Sequence, residues 1–322
     1  MKYRALGSTG LVVAELGFGC GAGGGLLVRG RYPEMRRAVA RALEVGINYF
    51  DTAPSYGKGQ SEVNLGAVLR ELGSYALVGS KVRLAPPDLP RIGAAIAASV
   101  EGSLKRLGRE RLDLIQLHNH LRADADPREA GITPQDFDTI LRAFGELRRQ
   151  GKVRFWGITG LGETDWLRQA ISAGGFHTVQ AIYNLLNPSI GLPVPAGFPY
   201  QDYGQLLGPI ASQGMGVIAI RVLAGGALSG IVDRHANADP NVEPLATGAY
   251  PADVARGRRL AWLMEESVVG SVVEAAFRFT LGRPEVSTAL VGVSSLEQLE
   301  QAVEYARRGP LPAEVPARVL EP

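Results

Sequence analysis

The chain has 322 residues, 46% of them hydrophobic, enough to bury one large α/β barrel or two smaller domains, and its formal net charge is only +2. Lys and Arg are interspersed with Asp and Glu, so no block of charge asks for nucleic acid or an acidic membrane surface. One cysteine, Cys20, excludes an internal disulfide and a multi-cysteine zinc site and fits a reducing compartment, with the cytoplasm as the expected location.

The opening MKYRALGSTG lacks the apolar core of a signal peptide; Tyr3 to Leu16, with Gly7-Ser8-Thr9-Gly10 between apolar runs, reads instead as a hairpin that could cap one end of the fold. Short apolar runs then alternate with stretches of helical period. The strand candidates are Glu15 to Gly19, Ile47 to Asp51, Tyr75 to Lys81, Leu112 to His118, Val153 to Thr159, Thr178 to Ala181, Gly216 to Ile220 and Ser287 to Gly292. Eight such runs separated by helices predict an α/β fold, a (β/α)8 TIM barrel preceded by a β-hairpin and occupying residues 1–322 as one domain. Thr133 followed by Pro134 starts a helix that Gly151 closes, giving Pro134 to Gln150. Ser294 to Glu297 has the spacing of a capping box for the last helix, which ends in Arg307 and Arg308 before Gly309. Two connections break the rhythm, the four-proline Asn187 to Gln201 and the polar Gly230 to Pro251, and loops of that length are expected on the substrate side. The longest apolar stretch, Val217 to Leu228, is broken by Arg221 and two glycines, so no membrane span is expected.

A parallel barrel assembles its site from the C-terminal ends of its strands. Three of the apolar runs end in Asp51, Lys81 and His118, and Tyr56 lies in the loop just after Asp51. A tyrosine with a pKa of about 10 is a weak acid at neutral pH unless a cation favours its phenolate. Lys81 is the cation to hand, Asp51 would hold it charged, and His118 could donate a hydrogen bond to a carbonyl oxygen. Such a set protonates a carbonyl oxygen while a nicotinamide supplies hydride to the carbon. Singly, each residue has a structural explanation; the meaning lies in the four together.

The segments FDTAPSYG at 50 to 57, GSK at 79 to 81 and QLHN at 116 to 119 resemble the signatures of the aldo-keto reductase family, and RALGSTGLVVAELGFG, GKVRFWGIT and VGVSSLEQLEQAV extend the resemblance over nearly the whole chain. The resemblance implies an NAD(P)H-dependent oxidoreductase in which Tyr56 is the general acid/base, Asp51 and Lys81 tune it, and His118 orients a small-molecule carbonyl or sugar substrate. It also implies a cofactor shell of Gly19, Cys20, Asp51, Thr159, Gly160, Gln180, Ile220, Arg221, Leu223, Ala224, Gly225, Gly292, Val293, Ser294 and Gln298. Within it, Thr159, Gly160 and Gln180 face the nicotinamide amide, with Gly160 where the family usually has Asn. Ile220 and Arg221 stand where an aromatic residue often stacks on the ring, and Leu223, Ala224 and Gly225 line the pyrophosphate path. NADPH is the implied cofactor, although Gly292, Val293, Ser294 and Gln298 offer no cation for its 2′-phosphate, which leaves NADH as the alternative. Gly21 replaces a bulky residue that often walls the family's pocket.

Competing readings attach to the same residues. Gly19, Gly21 and Gly24 satisfy the G-x-G-x-x-G of a dinucleotide-binding Rossmann unit, but that motif needs a helix opening inside the glycines, and the next helical period starts only near Pro33. Lys81 could serve as a Schiff-base nucleophile of an aldolase, which a paired Asp51 disfavours by keeping the amine charged. A non-catalytic NAD(P)H-binding barrel that senses redox state is the third reading. His120, His177 and His235 lack metal-ligand spacing, Lys105 to Arg111 reads as a solvated helix end, and Phe198, Tyr200 and Tyr203 suggest an apolar or sugar-stacking wall.

Overall fold

The computed structural model describes residues 1–124, 129–241, 245 and 250–320. The hairpin forms as expected: β1 (Tyr3–Ala5) and β2 (Val12–Ala14) pair antiparallel around a 3-10 turn at Gly7–Thr9. Gly7 is required there, with φ +54° and the backbone nitrogen of Gly216 only 2.3 Å from where a Cβ would sit.

Eight parallel strands follow, β3 (Leu16–Gly19), β4 (Tyr49–Asp51), β5 (Leu77–Val82), β6 (Leu112–Leu117), β7 (Val153–Thr159), β8 (Thr178–Ile182), β9 (Gly216–Ile220) and β10 (Val286–Gly292). They close in chain order, with β10 hydrogen-bonded to both β9 and β3. Closure excludes the Rossmann reading, whose sheet is open. Each strand lies within two residues of its expected limits.

The helices are α1 (Leu26–Arg29), α2 (Tyr32–Glu44), α3 (Gln60–Glu71), α4 (Ile92–Leu107), α5 (Phe137–Arg149), α6 (Thr164–Ala173), α7 (Leu207–Ser212), α8 (Tyr250–Arg258), α9 (Trp262–Glu265), α10 (Val272–Leu281), α11 (Leu296–Arg307) and α12 (Val315–Arg318). The longer ones follow amphipathic spacing: α2 buries Met35, Ala38, Val39 and Ala42, and α5 buries Phe137, Ile140, Phe144 and Leu147. None of the helices among the described residues is long and apolar enough to cross a membrane.

Four local expectations are corrected. Pro134–Asp136 is a 3-10 turn, and the α-helix starts at Phe137, because Asp136 turns its carboxylate back onto the Thr133 amide at 2.9 Å. Ser295, not Ser294, caps α11, accepting from the Gln298 amide, while the Ser294 hydroxyl donates to Gly24 O at 2.6 Å. A single helical turn, α1, precedes Pro33. The basic run that ends α4 and follows it is not simply solvated: Arg106 donates to the fully buried Glu62 at 2.6 Å, and Arg109 to Ala76 O at 2.8 Å.

The hairpin does cap the barrel. Leu6, Leu11 and Val13 pack under Tyr49, Leu114, Ile218 and Leu290, inward-pointing side chains of four strands, and close the N-terminal end. The opposite end carries the long connections. Part of the polar one, residues 242–244 and 246–249, lies outside the described residues.

Candidate active site

Asp51 ends β4, Lys81 is the penultimate residue of β5, and His118 follows β6, so three adjacent parallel strands bring them to one rim. The loop after β4 is turned back by three consecutive residues in the left-handed region, Gly57 (φ +61°), Lys58 (φ +55°) and Gly59 (φ +90°). Its start is fixed by the Thr52 amide on Gly79 O and by a Thr52–Ser61 hydroxyl contact of 2.9 Å. Tyr56 thereby returns over the strand ends. Its ring centroid is 4.8 Å from Lys81 Nζ and 6.2 Å from the His118 ring, edge to face.

Beneath Tyr56 lies a buried polar network. Lys81 Nζ donates to Asp51 Oδ1 and, at 2.9 Å, to Thr52 O. Asp51 Oδ2 accepts from Tyr49 Oη at 3.1 Å and from Gln180 Nε2 at 2.7 Å. All four side chains are buried. Burial works against the Lys81 ammonium, but Asp51 and Tyr56 outweigh it and raise its pKa, so it stays charged. Burial, Lys81, Arg83 and His120 hold His118 well below the usual histidine value, which makes it neutral with an N–H to donate.

Tyr56 departs from expectation in direction. Lys81 does favour its phenolate, but burial is the larger effect and Asp51 adds to it, so the phenol is raised and keeps its proton at neutral pH. Cys20, buried beside Asp51, is raised chiefly by burial and remains a thiol, with its sulfur 3.8 Å from Phe18 O.

The expected cofactor positions line the neighbouring strand ends. Thr159 ends β7 across from Gln180, and its Oγ1 is buried without a hydrogen-bond partner among the described residues. A buried hydroxyl left open at a strand end suits a ligand's amide, so the residues fit a nicotinamide carboxamide there. Gln180, expected to share that amide, donates its own amide nitrogen to Asp51 Oδ2 at 2.7 Å. Gly160 cannot take the family's Asn on this backbone without a shift, since a Cβ would lie 2.9 Å from Gln180 O. Beyond Ile220, Arg221 (φ +55°), Ala224 (φ +51°), Gly225 (φ +68°) and Gly226 (φ +107°) are left-handed and Leu223 lies among them; the Ala224 amide donates to Arg221 O at 2.7 Å and the Gly226 amide to Leu223 O at 2.8 Å.

Gly19 and Gly292 face each other at the ends of β3 and β10, and Val293 accepts from the Leu26 amide. Ser294 and Gln298 are engaged with the protein: the Ser294 amide donates to Gln298 Oε1 at 2.8 Å, and its hydroxyl holds Gly24. Gly21 does leave room, with the Tyr56 ring 3.4 Å from where its Cβ would be.

Three features were not read from the sequence. Tyr49 touches Asp51 and was legible, being two residues earlier on the same strand and therefore on the same face. The segment around Arg234, Asn237 and Asp239 crosses the ends of β9, β10 and β3 as a strap. Arg234 donates to Gly225 O at 2.7 Å and Gly23 O at 3.0 Å, Asn237 to Ser294 O at 3.0 Å, and the Asp239 amide to Ala22 O at 3.0 Å. No periodicity marks it. The third is a polar hollow of about 590 Å³ between the loops after β6 and β7, lined by His120, Arg122, Glu163, Thr164 and Gln201 among others. His120 there meets Glu129 at 2.8 Å, and no cluster of metal-ligating side chains occurs among the described residues. Of the three expected wall aromatics, Tyr203 and Tyr200 are buried, Tyr200 bonding to Asp253 at 3.2 Å; Phe198 lines a cavity of about 410 Å³ with Trp262, Arg256 and Arg259.

Comparison with known proteins bears on this geometry. A sequence model described as the aldo/keto reductase family matches residues 15–321. The chain is 29% identical to an L-galactose dehydrogenase of Arabidopsis thaliana, covering 94% of this chain and 87% of that protein. It is 30% identical to a pyridoxal 4-dehydrogenase of Microbacterium luteolum, covering 94% and 92%. Among solved structures, an aldo-keto reductase of Bacillus halodurans in its holo form superposes with a TM-score of 0.73 over 99% of this chain and 95% of that one, at 24% identity.

Proposed function

From the premise that this chain belongs to the aldo/keto reductase family and is an NAD(P)-dependent oxidoreductase, we propose that it interconverts aldehydes or ketones with alcohols through Tyr56 as general acid/base. The observation that carries the reading is the meeting of Tyr56, Lys81, Asp51 and His118 at one rim of the barrel. When bound, the nicotinamide supplies hydride to the carbonyl carbon or accepts it from the alcohol carbon. His118, neutral, donates its N–H to the substrate oxygen and fixes its position. Tyr56 gives its phenolic proton to that oxygen in reduction and takes it back in oxidation. Lys81 offsets the negative charge that forms on Tyr56, and Asp51 keeps Lys81 protonated for that purpose. A lysine so held is a poor nucleophile, which weighs against the aldolase reading.

Thr159 would hold the carboxamide of the cofactor, and the loop from Arg221 to Gly226 would lie along its phosphates, with Arg234 beside Gly225. NADPH is the cofactor proposed. The substrate class proposed is a polyhydroxylated carbonyl compound or its hemiacetal. The polar hollow lined by His120, Thr164 and Gln201 supports it, as does the name of the L-galactose dehydrogenase relative. Tyr56→Phe tests the central assignment: carbonyl reduction is expected to fall at least about 100-fold, the range of a lost general acid. Retention of most activity across an aldehyde and sugar panel would refute it.

A further inference from the structure

We propose that Tyr49 is a positioning residue for the acid/base group, acting through Asp51 and resting on the proton-transfer role of Tyr56 proposed above. The physical starting point is that a carboxylate has two oxygens and this one divides them. Oδ1 is given to Lys81, and Oδ2 is shared by Tyr49 Oη at 3.1 Å and Gln180 Nε2 at 2.7 Å. Two donors on one oxygen stabilise the ionised carboxylate in a buried setting and draw its negative potential away from the phenol above.

The barrel is built to admit this tyrosine. Inward positions of such a barrel are ordinarily filled by branched aliphatics. Here the neighbouring strand carries a glycine at the place the hydroxyl needs. A Cβ at Gly79, which pairs with Asp51, would lie 2.4 Å from Tyr49 Oη, whereas one at Gly17 on the other side would meet Leu290 at 2.8 Å before the Tyr49 ring at 3.3 Å. The ring rests in the apolar floor with Leu114, Ile218 and Leu290, while its hydroxyl passes over Gly79 to the carboxylate. A packing role alone would be served as well by phenylalanine and would not need the hydroxyl.

The titratable and charged groups facing Asp51 and Tyr56 are Tyr49 from β4, Lys81 from β5, His118 after β6 and Cys20 after β3, with Asp113 of β6 acting on Tyr49. Removing the Tyr49 hydroxyl leaves more uncompensated negative charge on Asp51. That charge disfavours the Tyr56 phenolate, so the rising limb of alcohol oxidation with pH moves to higher pH.

The experiment is the pH dependence of alcohol oxidation from pH 6 to 10.5 in wild type, Tyr49→Phe, Gln180→Leu and Tyr56→Phe, each with a thermal melt. Tyr49→Phe is expected to raise the midpoint of the rising limb by about half a pH unit or more, lowering the rate at neutral pH about two- to fivefold and recovering it at high pH. Gln180→Leu, which strips the second donor from the same oxygen, is expected to move the midpoint the same way. A Tyr49→Phe midpoint equal to wild type, or a loss uniform across pH, would overturn the proposal; should that variant not fold, an unmoved midpoint in Gln180→Leu does so. Tyr56→Phe separates the two levels. If the limb disappears there but stays put in Tyr49→Phe, only the role of Tyr49 fails. If the limb persists in Tyr56→Phe, the acid/base assignment itself fails, and the role of Tyr49 with it.

Discussion

Asp51→Asn isolates the central electrostatic claim, that a buried carboxylate keeps Lys81 charged. The two side chains are 4% and 2% exposed. Without the carboxylate, Lys81 Nζ keeps Thr52 O at 2.9 Å and the Tyr56 hydroxyl as its polar partners, neither of them a full negative charge at neutral pH. Leaving one member of a buried pair uncompensated costs about 3–5 kcal/mol. The ammonium can escape part of that cost by releasing its proton, because burial, opposed in the wild type by Asp51, then lowers its pKa. The sign of the pH dependence follows. In the variant the unfolded lysine binds a proton that the folded one has lost, so stability rises with pH, by up to about 1.4 kcal/mol per unit, until the unfolded value of about 10.4 is reached. In the wild type Lys81 is raised, so its contribution is full below the unfolded value and is lost only as pH climbs through the still higher folded value. Urea unfolding of both proteins at pH 7 and 9.5 reads the difference, which should be large at pH 7 and narrow by pH 9.5. Asp51→Asn combined with Lys81→Met should recover at least half of the loss, since removing both charges removes the orphan. A deficit below about 1 kcal/mol at pH 7 that stays constant to pH 9.5 would refute the reasoning, because the pair would then behave like an exposed one.

Other outcomes follow from the same geometry. His118 is neutral through the physiological range, so carbonyl reduction should show no acidic break between pH 6 and 8; a break near 6.5 that His118→Gln abolishes would contradict its lowered pKa. For the cofactor, kcat/KM with NADPH should exceed that with NADH; a tenfold or greater preference for NADH would sink the proposal and trace to Ser294 and Gln298, whose polar groups are bonded within the protein.

The barrel and the rim were largely legible because they rest on local rules. Eight apolar runs of strand length could be counted, and a polar residue ending such a run in a parallel barrel must sit at the rim. Tyr49 obeyed an equally simple rule, the two-residue period of a strand, yet its aromatic ring counted as core, and the glycine at 79 is what reveals that its hydroxyl is aimed. The direction of the Tyr56 shift was not legible, since it depends on whether burial or Lys81 is stronger, a comparison of distances and not of residue types. The strap at Arg234 to Asp239 was out of reach for another reason. Its partners are mainly backbone carbonyls of Gly23, Ala22, Gly225 and Ser294, which every residue type presents alike.

The floor formed by the hairpin has a practical consequence. With Leu6, Leu11 and Val13 sealing one end, reactants and products approach the rim from the opposite face. Attachment to a support is therefore not neutral with respect to side. Tyr75, 97% exposed just before β5, and Tyr3 on the hairpin lie at the sealed end. Coupling through that face would hold the molecule with its rim toward the solution, whereas coupling through the strap would crowd the face that carries Tyr56.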